Sequence, residues 1–277
     1  MSKNNLFLET IKTLRDHNIK VSKKKGQHFL VSSNLLKREI DYSEMQSSDT
    51  VLEIGAGLGT LTRALAEKAR KVFAIEKDQK LLQVLKDKLS SFNNIEIISG
   101  DALKLEFPPT QKIVSNIPYS ISSPLTFKIL SATYERAVLT YQLEFAERLT
   151  AKPNTKNYGR LTVGVYYKAE AKLLEKIPRK AFYPPPKVES AMVMLKPKPP
   201  PFETLNEKTF FEIVRFLFMY PNKKAKHGVR YYLKNKNNKD FKLADLDFLP
   251  EILEKRVRNL TPSEINEIAN VLISEYG

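Results

Sequence analysis

Apolar positions along this chain fall into two alternating rhythms. Short runs have strand length and β-branched content: Thr50-Val51-Leu52-Glu53-Ile54, Lys71 to Ile75, Ile95 to Ile98, Ile113-Val114-Ser115 and Ala137-Val138-Leu139-Thr140. Segments with helical spacing lie between them. Thr60 to Arg70 places Leu61, Ala64 and Leu65 on one face, and Asp78 caps a segment carrying Leu81, Leu82, Leu85 and Leu89. Ser123-Pro124 predicts another helix start, with proline at the first helical position. This alternation predicts a parallel sheet covered by helices on both faces. Upstream, residues 1–20 have a helical pattern through Leu6, Ile11 and Leu14, and Lys23 to Leu30 reads as a basic loop entering a helix near Ser33 or Asn34.

The pattern changes after residue 160. Leu161 to Tyr167 and Val188 to Leu195 are rich in β-formers and flank Pro184-Pro185-Pro186, which predicts a hairpin closing the sheet. Lys196 to Pro201 reads as a stiff linker. Helical patterns return over Glu207 to Met219 and Pro262 to Ser274, while Lys234 to Lys239 is polar enough for a mobile loop. The expected division is an α/β domain with an N-terminal extension over 1–201 and a small helical domain over 202–277.

Composition narrows the chemistry. No run approaches the roughly 18 apolar residues of a membrane span, and the N-terminus has no continuous apolar core of a secretory signal. A cytoplasmic protein without membrane partners is expected. There is no cysteine, which excludes disulfides and thiolate catalysis. His17, His28 and His227 lie far apart without ligand spacing, so no metal is expected. The formal charge of +15 suits either a polyanionic partner or a lysine-rich solvated surface. Its distribution favours the partner. Arg215 to Lys242 holds nine Lys or Arg against one acid, Asp240, and Lys20 and Lys23 to Lys25 form a second cluster. Lys223, Lys224, Lys226 and Arg230 are the candidate nucleic-acid contacts.

Candidate chemistry collects at the predicted strand ends. Glu53-Ile54-Gly55-Ala56-Gly57-Leu58-Gly59 follows a strand and opens a helix. Such a loop serves a nicotinamide cofactor, a flavin or S-adenosylmethionine, or is a structural turn. Two details favour the methyl donor. The third glycine comes one residue earlier than in the dinucleotide fingerprint, and Glu53 would repel a pyrophosphate but suits an ammonium. Glu76 ends the second strand, where a carboxylate accepts from both ribose hydroxyls; the alternative is an exposed strand-end acid. Asp101, beside Ala102, ends the third, where it accepts from the cofactor's adenine amine or simply forms an Asp turn.

The fourth strand ends in Asn116-Ile117-Pro118-Tyr119. Here the chain resembles the ribosomal RNA adenine dimethyltransferases, the small-subunit (KsgA) type in particular. The resemblance covers almost the whole chain. It extends to Gly26-Gln27-His28-Phe29-Leu30, Tyr158-Gly159-Arg160-Leu161, Phe182-Tyr183-Pro184-Pro185-Pro186-Lys187-Val188-Glu189-Ser190, Phe218 to Arg230 and Arg258-Asn259-Leu260-Thr261. It implies a Rossmann-like S-adenosylmethionine-dependent methyltransferase sheet with a small C-terminal helical domain. It also implies a catalytic set of Asn116, Ile117, Pro118, Tyr119 and Phe182. Asn116 and a backbone carbonyl at Asn116 or Ile117 would accept the two hydrogens of an adenine amine, Pro118 would fix the backbone, and Tyr119 and Phe182 would stack on the flipped base. Cofactor contacts would come from Gln27, His28, Leu30, Gly55, Gly57, Glu76, Asp101, Ala102 and Asn116.

The sequence departs from the family pattern in places. His28 stands where many members carry Asn, and Ile117 where Leu is commoner. Met219 to Lys224 replaces an Arg-rich segment familiar from bacteria, which points to an archaeal or eukaryotic-type member. The resemblance implies a monomer that dimethylates two adjacent adenosines near the 3′ end of small-subunit rRNA, acting on rRNA or the pre-ribosomal small subunit, with a role in small-subunit assembly. Three alternatives stand beside it: a large-subunit enzyme of the macrolide-resistance type, a non-catalytic RNA-binding assembly or transcription factor, and a DNA adenine methyltransferase. The last class usually carries Asp in place of Asn116.

Overall fold

A computed structural model describes residues 5–21, 26–236 and 249–276. The cluster Lys23 to Lys25 and the residues Lys239 and Lys242 lie outside the described residues. Contacts divide the chain into two units, Met1–Ala146 with Glu170–Pro197, and Glu147–Ala169 with Lys198–Gly277.

The first unit is built on a seven-stranded sheet. Its strands are β2 (Thr50–Ile54), β3 (Lys71–Glu76), β4 (Ile95–Ser99), β5 (Lys112–Asn116), β6 (Arg136–Gln142), β7 (Ala169–Ile177) and β9 (Ser190–Pro197), in the order β4-β3-β2-β5-β6-β9-β7. A separate antiparallel pair joins β1 (Phe29–Leu30) to β8 (Phe182–Tyr183). The five strands from β2 to β6 pair in parallel, and β9 runs antiparallel to β6. β2 is central, and all five of its residues are buried, as a strand covered on both faces requires. The chain runs outward from β2 through β3 and β4, then returns to place β5 on the other side of β2. The order reverses between β2 and β5, and a crevice opens there at the carboxyl ends of the strands.

Local sequence sets the flanking helices. In α1 (Asn5–Asp16), Leu6 and Leu14 are buried. Ser32 caps α2 (Ser33–Tyr42) by accepting from the Leu35 amide, and Asp78 caps α4 (Gln79–Leu89) by accepting from the Lys80 amide at 3.0 Å. α3 (Thr60–Ala66) starts after Gly59, whose φ of 77° is a left-handed conformation. α5 (Ser122–Leu130) begins two residues earlier than its Ser-Pro signal implied, with Pro124 third in the helix.

The second unit contains a correction. Leu161 to Tyr167 is not a strand but lies in helix α7 (Arg160–Lys168). Its Val and Tyr side chains suit a pleated surface, but here packing overrides propensity, because every residue from Leu161 to Val165 is buried, as is Tyr167. α6 (Leu143–Leu149) precedes α7 in the chain, and the partners of α7 are α8 (Glu207–Leu217), α9 (Ala225–Asn235) and, after the short α10 (Pro250–Glu254), α11 (Pro262–Tyr276). Val163 and Tyr167 share one core with Phe210, Val214, Val229 and Ile268. The strand beside β9 is instead β7, formed by the charged stretch that follows α7. The division expected at residue 201 therefore differs from the observed one. The helical unit also takes in residues 147–169, and β9 extends into the expected linker as far as Pro197.

Candidate active site

The loop after β2 is held from three sides. The Gly55 and Ala56 amides both donate to the Ile75 carbonyl at the end of β3, at 2.7 and 3.1 Å. The Gly57 amide donates to Glu76 Oε2 at 2.9 Å. Gly55 and Gly57 have φ of 81° and 60°. A Cβ on Gly55 would come within 3.0 Å of Pro118, and one on Gly57 within 3.2 Å of the Phe29 ring, so these two positions need glycine for space as well as conformation. Glu76 is no loose strand-end acid. It is buried, and its Oε1 accepts from the Lys77 and Asp78 amides, each at 2.8 Å. Three backbone donors thus fix the carboxylate at the wall of a cavity of about 1090 Å³.

The other predicted residues meet around the same cavity. Gln27, His28, Leu30, Gly55, Gly57, Glu76, Asp101, Ala102, Asn116, Ile117, Pro118, Tyr119 and Phe182 all line it. Asp101 Oδ1 accepts from the Leu103 amide at 3.0 Å, and Oδ2 pairs with Lys77 Nζ at 2.8 Å. The Lys77 ammonium and the Leu103 amide hold this carboxyl below its usual range. Phe29 pairs with Tyr183 and Leu30 with Phe182 across the β1–β8 ladder, which brings sequence-distant segments to one rim. The His28 Nδ1–H donates to the Pro184 carbonyl at 2.7 Å and closes that rim.

Asn116 ends β5. Ser115 before it turns inward and donates its hydroxyl to the Ile54 carbonyl at 2.6 Å, locking β5 to β2. Ile117 follows, buried, with its amide on the Thr140 carbonyl. The Asn116 Nδ2 donates to Glu39 Oε2 at 3.2 Å, while its Oδ1 is buried without a hydrogen-bond partner among the described residues. The Tyr119 hydroxyl shares a 2.6 Å hydrogen bond with Ser190 Oγ, and the His28 ring lies beside the Tyr119 ring at 5.6 Å between centroids.

Two further carboxyls belong to this region, Glu53 in the cavity wall and Glu39 behind it. Burial pushes Glu53 well above the ordinary range and Glu39 up to about 8, opposed in Glu39 by hydrogen bonds from Asn116 and Thr140. Glu53 Oε2 has no partner among the described residues.

The sequence matches the ribosomal RNA adenine dimethylase family over residues 18–273. The chain belongs to that family. It is 47% identical over 251 residues to the probable ribosomal RNA small subunit methyltransferase A of Methanosarcina barkeri, covering 89% of this chain and 86% of that one. Among solved structures it resembles a dimethyladenosine transferase from Plasmodium falciparum, with 33% identity, a TM-score of 0.74, and coverage of 89% of this chain and 97% of that one. It also resembles the 23S rRNA methyltransferase ErmE, with 31% identity, a TM-score of 0.64, and coverage of 87% and 98%. Membership makes this chain an S-adenosylmethionine-dependent adenine methyltransferase with a Rossmann-like sheet.

The cavity fits the dimethylase co-substrate. Glu53 Oε2 is an orphaned buried acceptor that an ammonium would satisfy, and Glu76, with Oε1 accepting from two amides and Oε2 from one, keeps about one acceptor site, on Oε2, for a ribose hydroxyl. Sequence reasoning missed four groups that hydrogen-bond to the candidate site residues or to one another behind them: Glu39, Thr140, Lys77 and Ser190. For Glu39 a signal existed. It shares the buried face of α2 with Leu35 and Ile40, where a carboxylate is out of place.

The basic stretch lies in the second unit. Lys223, Lys224 and Arg230 are exposed and Lys226 is half-buried. Lys224 and Lys226 both pair with Glu254, an acid the local charge count did not include, and together they pull that carboxyl down to about 2. Tyr220 and Tyr231, half exposed, stack at 5.2 Å beside them.

The buried Glu39 links stability to pH. Its carboxyl ionises near 4.5 when unfolded and about 8 when folded. Between those values the folded chain holds a proton that the unfolded chain has lost, so stability falls as pH rises through this window, by a few kcal/mol at most. The melting temperature of Glu39→Gln should therefore fall less between pH 5 and pH 8.5 than that of the wild type. Parallel declines in a thermal scan would contradict the assigned shift.

Proposed function

We propose that this dimethylase transfers methyl groups to the exocyclic amines of two adjacent adenosines near the 3′ end of small-subunit rRNA, as a monomer in the cytoplasm. One observation carries the catalytic half of this reading: Asn116 Oδ1 is a buried acceptor without a partner among the described residues, at the edge of the cofactor cavity. An adenine amine is a poor nucleophile because its lone pair is delocalised into the ring. Accepting one of its hydrogens at Asn116 Oδ1 and the other at the Asn116 or Ile117 carbonyl localises that pair. Bound S-adenosylmethionine supplies the sulfonium methyl. The new N–C bond forms as the S–C bond breaks, and the amine releases its proton to solvent. Tyr119, held by Ser190, and Phe182, held across the β1–β8 ladder, offer ring faces to the flipped base.

The small-subunit assignment is supported by the higher identity to the Methanosarcina barkeri protein than to ErmE, 47% against 31%. Labelled S-adenosylmethionine offered with small-subunit particles and, separately, with large-subunit RNA should give dimethyladenosine only in the former, by mass spectrometry of the rRNA. Product on large-subunit RNA alone would reverse the assignment. RNA binding without any product would favour a non-catalytic assembly factor.

Asn116→Ala should cut turnover by about two orders of magnitude and leave cofactor affinity within a few fold. Glu76→Ala should do the converse, weakening cofactor binding about tenfold or more in calorimetry. If the two variants show the same pattern, the division of labour is wrong.

For the second unit we propose that Lys223, Lys224, Lys226 and Arg230 contact RNA phosphates. Neutralising the three lysines should flatten the dependence of RNA affinity on salt, because fewer counterions are released. An unchanged slope would assign the lysines to Glu254 and solvent alone.

A further inference from the structure

Glu39 occupies a position that chain folding alone does not favour. It lies on the buried face of α2 between Leu35 and Ile40 and is 0% exposed. A carboxyl taken out of water there costs free energy that an apolar side chain would not. Two contacts account for where it points. Asn116 Nδ2 donates to its Oε2 at 3.2 Å from β5, and Thr140 Oγ1 donates to its Oε1 at 3.4 Å from β6.

The oxygen and nitrogen of a carboxamide occupy nearly the same volume, so packing alone does not choose between its two orientations. For Asn116 the choice decides function. With the oxygen toward the cavity the side chain accepts from an adenine amine; with the nitrogen there it presents a second donor to a donor. The structure assigns Glu39 the role of positioning residue, whose acceptor oxygen holds the Asn116 nitrogen and thereby turns Oδ1 toward the substrate. This rests on the reading of Asn116 as the amine acceptor. Ionised, Glu39 presents only acceptors. Protonated on Oε1, it faces the Thr140 hydroxyl, which is donor or acceptor as required, and Oε2 remains a carbonyl oxygen for Asn116.

The test uses the full chain, tritiated S-adenosylmethionine and small ribosomal subunits whose rRNA is unmethylated. Glu39→Leu removes the acceptor and the buried carboxyl together. Its kcat should fall about tenfold or more, while cofactor affinity stays within about twofold. Glu39→Gln, which keeps an acceptor oxygen, should restore kcat to within about threefold of wild type. A merely structural Glu39 predicts a different pattern, with stability, cofactor affinity and kcat falling together in the leucine variant. That outcome overturns the assignment, as does a leucine variant at wild-type kcat or a glutamine variant as slow as leucine. Asn116→Ala separates the two levels. If it is slow while Glu39→Leu is not, only the positioning role falls. If it turns over normally, the acceptor reading fails and the positioning role with it.

Discussion

The site depends on one buried strand. β2 pairs in parallel with β3 on one side and β5 on the other, so three strands end at the same level. Three of the groups expected to hold the cofactor and substrate are attached to those ends. The glycine loop leaves β2, Glu76 closes β3, and Asn116 closes β5. Side-chain contacts then tie the ends together: Ser115 reaches the Ile54 carbonyl, and Glu76 receives the Gly57 amide. The crevice needs no separate scaffold, since the contacts that align the strands also align the groups on them.

Three cavity groups are fixed before any ligand arrives. Glu76 is held by three amides, Asp101 by Lys77 and Leu103, and Tyr119 by Ser190. Holding such groups in advance reduces the ordering that binding must impose. Two residues of the cavity wall, Glu53 and Asn116, carry a buried acceptor without a hydrogen-bond partner among the described residues. They lie at either end of the expected chemistry, the ammonium of the co-substrate and the amine of the adenine. An unmade hydrogen bond on a buried acceptor costs about 1–3 kcal/mol, which a ligand with the right donors would recover.

What sequence made legible followed strict periodicity and motif spacing. The parallel strands, the Asp78 cap and the glycine loop all stand near their expected positions, because each is decided within a few residues. The predicted cavity residues met because the strand-end rule is topological. Leu161 to Tyr167 misled because a helix buried on most faces shows no clean amphipathic period, so its β-branched content dominated the reading. Glu39 showed in the sequence only as a carboxylate out of place on an apolar helix face, and Thr140 not at all, because their meaning comes from contacts that run from Thr140 through Glu39 to Asn116 across β6, α2 and β5. Glu254 likewise answers Lys224 and Lys226 from outside the basic run.

The helical unit is sewn from two separated stretches of chain, residues 147–169 and 198–277, with two strands of the sheet made in between. That arrangement bears on synthesis. While the polypeptide is emerging, α7 appears early, yet Val163 and Tyr167 wait for Phe210, Val214, Val229 and Ile268 before their apolar surface is covered. Until α8 and the helices after it leave the ribosome, a nascent chain therefore carries a greasy helix with no shelter of its own. A polypeptide stopped at residue 201 would retain that exposure permanently, because α7 belongs to the core of the helical unit although it precedes β7 and β9 in the chain.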